Sequence, residues 1–300
     1  MQQAITITMH QSGGRLIPQI TPPAPLPLAA LCLGKPVDDV LTLLPRIFNL
    51  CGTAQDSALR LSLGLPAAPR EPLRREVLRE HLLKFYITWP DLLGLPPRAL
   101  PAGWDKPAGL TSTHLFGAAA PTPDTLAHWL DSGAGLASVL GAIRDRFNMG
   151  EAATNLRAIL PDQAMITTAC DNSVAARHAG NPLMRLIART HGHGPLWHAF
   201  ACLLDLDAAR VGVLPAPQRL ADGTGIAPAA RGQYAIRASA QNGLITGFDR
   251  ITPTDHMLAP NGALQQSLSS LPAQKASLAG LVVAILDPCL PVTIKDAQHA

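Results

Sequence analysis

The sequence predicts an α+β fold, mostly α-helical, with a small antiparallel β-sheet. Three observations carry this. Apolar residues recur at helical spacing, most clearly Leu73, Val77, His81 and Phe85. Two alternating stretches, residues 4–8 and 232–250, read as the strands of that sheet, the second turning at Gln241-Asn242-Gly243. Hydrophobic residues are 47% and charged residues 15% of the 300, which supplies a sizeable core and excludes a disordered chain.

The elements follow in order. Ala4-Ile5-Thr6-Ile7-Thr8 is a strand, and Pro18 to Leu28 an extended, Pro-rich connector, so residues 1–30 form a partly extended N-terminal segment. Asp38 and Asp39 open a helix through Val40, Leu43, Leu44 and Ile47. Ala58, Leu59, Leu61 and Leu63 mark a second helix after Cys51, stopped at Gly64 and Pro66. Pro72 suits the first turn of a third, which carries Arg74, Arg75, Arg79, Glu80 and Lys84 on its polar face and ends near Trp89-Pro90. Residues 94–123 read as irregular, and helices are expected around 124–147, 150–159 and 182–205. A last helix over 273–286 stops at Asp287-Pro288, because proline disfavours helical geometry in the residue before it. No internal repeat or clean linker divides the chain, so residues 1–300 are expected to form a single domain.

Several function classes are excluded at once. Twenty-four basic against 21 acidic residues, a net charge of +3, leave no surplus for phosphate neutralisation, so a nucleic-acid partner is not expected. The longest uncharged apolar run, Leu278 to Leu286, is far short of the roughly 20 residues of a membrane span. The opening residues lack a basic stretch followed by an apolar one. Cys32, Cys51, Cys170, Cys202 and Cys289 are odd in number with no CxxC spacing, so a reducing cytoplasm is the expected location.

Other possible sites read as ordinary structure. Cys32, Cys170 and Cys202 lie in apolar contexts and His81 on an apolar helix face, so all four read as core. His191-Gly192-His193-Gly194 and His198 lack the i, i+4 spacing of a zinc enzyme and read as solvated loop histidines. Arg74, Arg75 and Arg79 read as a solvated face. Gly223-Thr224-Gly225 lacks the lysine of a phosphate loop.

Three segments carry more when taken together. They are Arg46-Ile47-Phe48-Asn49-Leu50-Cys51-Gly52-Thr53-Ala54-Gln55, Ala230-Arg231-Gly232 through the hairpin to Pro253-Thr254, and Asp287-Pro288-Cys289. Singly, each has a bland reading: a buried cysteine, a turn, a helix stop. In this order they resemble the large subunit of nickel–iron hydrogenases. That family carries R-I-C-G-x-C-x-x-x-H near the N-terminus, an R-G motif followed by a hairpin and P-T or P-S, and D-P-C-x-x-C-x-x-H at the end. Gly34-Lys35-Pro36 resembles its G-R-D-P, His81 to Tyr86 its H-F-Y helix, and Asn181 to Arg185 its G-P-L-A-R. The resemblance implies a large-subunit-like helical core spanning about residues 33 to 292.

The departures matter as much. Laid on the four-cysteine pattern, Phe48 and Val292 replace two thiolates, and Gln55 and Lys295 two histidines. Nickel in a soft four-sulfur site cannot be held by two cysteines, so no nickel is expected. The iron half is retained. The resemblance implies that Cys51 and Cys289 ligate iron, and that Arg231, Pro253 and Thr254 surround its cyanides. The chain is thus similar to the HupK/HoxV type of hydrogenase maturation protein, a truncated large subunit without catalytic activity. The implied function is that of a scaffold or chaperone that receives an Fe(CN)2(CO) unit and delivers it to a large-subunit precursor. HypC-family small chaperones and a HypD-type iron-loading protein are the implied partners. Two rivals stand beside it: a metal-free module that mimics the large subunit to organise the maturation complex, and a reduced hydrogenase enzyme.

Overall fold

A computed structural model describes residues 4–48, 50–106 and 108–296. The chain opens with an antiparallel pair, β1 (Ile5–Ser12) and β2 (Arg15–Thr21). Short α1 (Leu28–Cys32) leads to α2 (Val37–Ile47) and α3 (Gly52–Ser62), then α4 (Arg70–Leu83). A π turn over Lys84–Thr88 joins α4 to α5 (Trp89–Leu93). Next come α6 (Ser112–Phe116), α7 (Leu126–Ser132), α8 (Ala137–Arg146), α9 (Val174–His178), α10 (Pro182–His191) and α11 (Pro195–Val211). Strands β3 (Gln218–Arg219), β4 (Gly225–Ala229), β5 (Gly232–Gln241) and β6 (Leu244–Ile251) follow. Last are α12 (Pro253–Leu258), α13 (Ala263–Ser269), α14 (Ala279–Leu286) and β7 (Val292–Asp296).

The single small sheet of the sequence reading is two sheets. One is three-stranded in the order β2-β1-β7, with Ile5–Met9 parallel to Val292–Asp296. The other, β3-β4-β5-β6, is antiparallel. Residues 4–8 therefore pair with the far end of the chain, not with the hairpin. Alternation still sets which side faces in: Ile5, Ile7 and Met9 are buried and their neighbours are not. Pro18 is tolerated in β2 because β2 is an edge. The hairpin turns where expected, with Asn242 and Gly243 at φ 52° and 77°, the left-handed pair that such a turn demands.

Two cores meet at the site. The larger is built around α11, which packs on α4, α8, α9, α10 and α14, and contains Ile5, Val77, Phe85, Trp89, Phe200 and Val282. The second places α2 and α3 against the hairpin sheet through Val40, Leu44, Ala54, Ala58, Leu59, Tyr234 and Phe248. Gly225 makes that close approach possible, since a Cβ there would lie 1.9 Å from the Ala58 carbonyl oxygen.

Helix expectations fail where the backbone is spent elsewhere. Residues 150–159 are not helical. Gly150 and Ala152 have positive φ, and Ala152 and Thr154 donate their N–H groups to Ser270 and His193. The helix expected to end near Trp89-Pro90 continues to Leu93, because the π turn widens the coil and Pro90 then falls in a first turn, where its missing N–H is harmless. The expected 273–286 helix begins as a 3₁₀ segment, Ala273–Leu278. Among the described residues, no helix is long and apolar enough to cross a membrane.

Candidate functional site

Cys51 sits at the cap of α3 with its side chain buried. Gln55, one turn on, donates from Nε2 to Cys51 Sγ at 3.0 Å. Burial pushes the Cys51 thiol up to about 11, against donors on Tyr234 and Gln55 that favour the thiolate. Cys289, 238 positions further along the chain, lies near enough for its charge to act on Cys51.

Cys289 is placed by α14 and α12. Asp287 ends α14 in a left-handed conformation, φ 55° and ψ 60°, and Pro288 turns the chain out. The Cys289 N–H donates to Thr254 Oγ1 at 2.9 Å. Thr254 is held in turn by a capping box, in which the Asp255 carboxylate accepts from Thr252 N–H at 2.7 Å. Pro253, beside it, closes on the Arg-Gly turn: a Cβ on Gly232 would lie 3.0 Å from Pro253 Cγ and 2.0 Å from the Asn172 carbonyl oxygen. Cys289, Thr254, Pro253 and the Arg231-Gly232 turn thus lie together, with Cys51 near enough to feel the Cys289 charge.

Arg231 is largely committed. It donates to Glu80 Oε2 at 3.1 Å and to Asp287 Oδ1 at 3.0 Å, while Lys84 Nζ pairs with Asp287 Oδ2 at 2.7 Å. Burial opposes the Arg231 charge, and Asp287 and Glu80 outweigh it, leaving its pKa above the ordinary value. Its Nε is buried without a partner. Behind lies a second network. Asp205, fully buried, accepts from Arg177 at 2.6 Å and pairs with His81 and His178, each at 2.9 Å. Arg177 also donates to the Ala229 and Gly232 carbonyls, fixing the chain on both sides of Arg231. Burial, then the Lys84 charge, depress the His81 pKa to about 4.

Sequence reasoning missed Tyr234 as a site residue. Its hydroxyl is buried and makes no aligned hydrogen bond, yet it lies against Cys51. Burial first, then the charges of Cys51 and Cys289, hold its pKa well above the phenol range. Lys84, Glu80 and Asp205 were also missed, since charged residues on helices read as surface. The histidine expectation needs correcting: His193 packs against Trp197 at 4.6 Å between centroids, and His198 is not in the loop but within α11, where its helix turns it into the core. Arg74, Arg75 and Arg79 pair with Glu71, Asp105 and Glu80. Cys32, Cys170 and Cys202 are buried as expected. Val292 pairs with Ile5 in the terminal sheet and Lys295 is exposed. Asn49, within the first motif, lies outside the described residues. Among the described residues, no three or more His, Cys, Asp or Glu side chains converge to hold a metal ion.

Cys51 and Cys289 are the soft donors that this place offers. Over its whole length the chain is 47% identical to the hydrogenase expression/formation protein HupK of Rhodobacter capsulatus, all of which is also covered. The chain belongs to this family of hydrogenase maturation proteins. The chain's fold is similar to that of solved [NiFeSe] hydrogenases. A single-residue variant of the [NiFeSe] hydrogenase from Desulfovibrio vulgaris Hildenborough aligns with a TM-score of 0.60 at 13% identity, over 96% of this chain and 99% of that one. A reduced, active Ni-Fe-Se hydrogenase from Desulfomicrobium baculatum aligns with a TM-score of 0.56 at 12% identity, over 94% and 95%. At such identities the likeness concerns the fold alone. No family model matches the chain.

Proposed function

We propose that this protein binds an Fe(CN)2(CO) unit between Cys51 and Cys289 and hands it to a hydrogenase large-subunit precursor. The observation that carries the reading is a pair of thiols near enough for their charges to interact, beside the buried Tyr234 hydroxyl, which faces the Cys51 sulfur, and an Arg231 Nε without a partner. A cyanide nitrogen accepts hydrogen bonds, and a buried donor without a partner is costly until something accepts from it. The residues present thus fit such cargo. Thiolate is the soft donor that low-spin iron favours, Thr254 fixes the Cys289 backbone, and Pro253 supplies an apolar wall.

The chemistry of holding and release follows from the thiol pKa. Both thiols lose a proton as the S–Fe bonds form, and regain it as they break. Ionising Cys51, whose pKa is about 11, costs about 5 kcal/mol at pH 7. That cost weakens the hold. A precursor offering four thiolates gains more bonds to metal and draws the unit away. Phe48 and Val292 cannot donate to a metal, so nickel is not retained and the protein does not turn over hydrogen. HypC-family chaperones and a HypD-type protein are the proposed sources of the unit, in the cytoplasm.

Infrared spectroscopy of protein purified without oxygen from cells making the hydrogenase tests this. CO and CN stretches with near-stoichiometric iron support it. Protein that binds the precursor but shows neither band would instead be a metal-free organiser of the maturation complex. Bands accompanied by tightly held nickel and hydrogen-dependent dye reduction would make it an enzyme.

A further inference from the structure

Two of the positions at which the first motif departs from the large-subunit pattern, Phe48 and Gln55, are joined by a hairpin residue to which the resemblance gives no role. Arg250, on β6, lies with its guanidinium carbon 4.2 Å from the centroid of the Phe48 ring. Its Nη1 donates to Gln55 Oε1 at 2.7 Å. Gln55 Nε2 in turn donates to Cys51 Sγ at 3.0 Å. The order of this chain is forced. A guanidinium has donors and no acceptor, so the Gln55 atom that faces it must be the amide oxygen. The amide nitrogen is thereby turned to the sulfur. The flipped amide would set donor against donor at Arg250.

We infer that Arg250 is a positioning residue: stacked on Phe48, it locks Gln55 so that the Cys51 sulfur receives an N–H donor. The two sequence changes are then not mere losses. An aromatic ring where a thiolate is missing gives the guanidinium a face to rest on. An amide in place of the imidazole needs its orientation set from outside, because its two ends are similar in shape and opposite in polarity. Arg250 sets it. This rests on the reading of Cys51 as the cargo's ligand for its purpose, but not for its geometry.

The test separates the two. Metal-free protein labelled with ¹⁵N-glutamine gives side-chain amide resonances, and the Gln55 pair is the one lost in Gln55→Leu. Arg250→Met should move that pair to the shifts of solvent-exposed glutamines and speed its hydrogen exchange at least tenfold. Arg250→Lys, which still donates but lacks the planar fork and stacks less well, should restore part of the protection. Phe48→Leu should shift the pair in the same direction, less far. In loaded protein, Arg250→Met and Gln55→Leu should displace the CO stretch equally, and the double variant no further. A Gln55 pair unmoved in both Arg250 variants overturns the inference. So does a double variant whose CO shift is the sum of the two, which would mean that Arg250 acts through its own charge. Loss of Gln55 protection in protein that never carries iron leaves the inference standing and removes the proposed cargo.

Discussion

Replacing Arg231 with methionine should destabilise the protein by about 3–5 kcal/mol, the cost of leaving a buried charge without its partner. The side chains of Arg231 and Glu80 are only 7% and 5% exposed, so neither pairs with water once the other is gone. Asp287 keeps Lys84 at 2.7 Å. Among the described residues Glu80 keeps Arg79, whose side chain is 42% exposed and screened by solvent. The stranded charge is therefore chiefly that of Glu80, which puts the loss near the lower end, about 3 kcal/mol. In a domain of this size that lowers the melting temperature by about 6 °C. Charge balance gives a sharper test. Glu80→Met together with Arg231→Met leaves Lys84 and Asp287 as a neutral pair, and two apolar side chains of similar length fill the space. Urea denaturation should find the double variant more stable than Arg231→Met alone. A double variant less stable than the single one would refute the argument from an unpaired Glu80.

Other outcomes follow from the same geometry. Cys51→Ala and Cys289→Ala should each remove the CO and CN bands from a folded protein, whereas Cys170→Ala should keep them; bands at wild-type intensity in both site variants would dismiss the two-thiolate site. Gly232→Ala should cost about 2–6 kcal/mol by summed backbone strain and overpacking, because its φ of 143° and the Asn172 oxygen at 2.0 Å leave no place for a methyl group, and a wild-type urea midpoint would contradict this. His81 is held neutral with a folded pKa of about 4 against about 6.5 unfolded, so its contribution is complete above pH 6.5 and lost as the pH falls to 4, about 3 kcal/mol in all. Asp205, with its carboxyl held low, loses stability in the same direction at still lower pH. Urea midpoints at pH 7 and 4.5 should differ by more in the wild type than in His81→Gln, and equal differences would remove His81 from the account.

Local chemistry was legible in the sequence, and non-local pairing was not. The Asn242-Gly243 turn, α2, α3 and the apolar face of α4 all follow from neighbours within a few residues. The five candidate residues could be proposed only through the order of three motifs, since nothing local in Cys51 points to Cys289. The parallel pairing of residues 5–9 with 292–296 joins the two ends of the chain and leaves no short-range trace. Residues 150–159 carry a helical pattern that Gly150 and Ala152 override by taking left-handed backbone. Lys84 and Glu80 lie on a helix whose other charges are exposed, and their inward turn shows only once Arg231 and Asp287 are seen beside them. Tyr234 read as one more inward strand residue, because burial of a ring is legible from alternation and an unpartnered hydroxyl is not.

Direct transfer is the measurement closest to the central claim. Protein carrying a ¹³CO-labelled iron unit would be mixed with metal-free large-subunit precursor, the two separated by affinity tag, and infrared spectra taken of each. The isotope-shifted CO band should leave this protein and appear on the precursor, with the iron moving in equal amount. A labelled band that stays on this protein, while the precursor gains its iron from another source, would contradict the account.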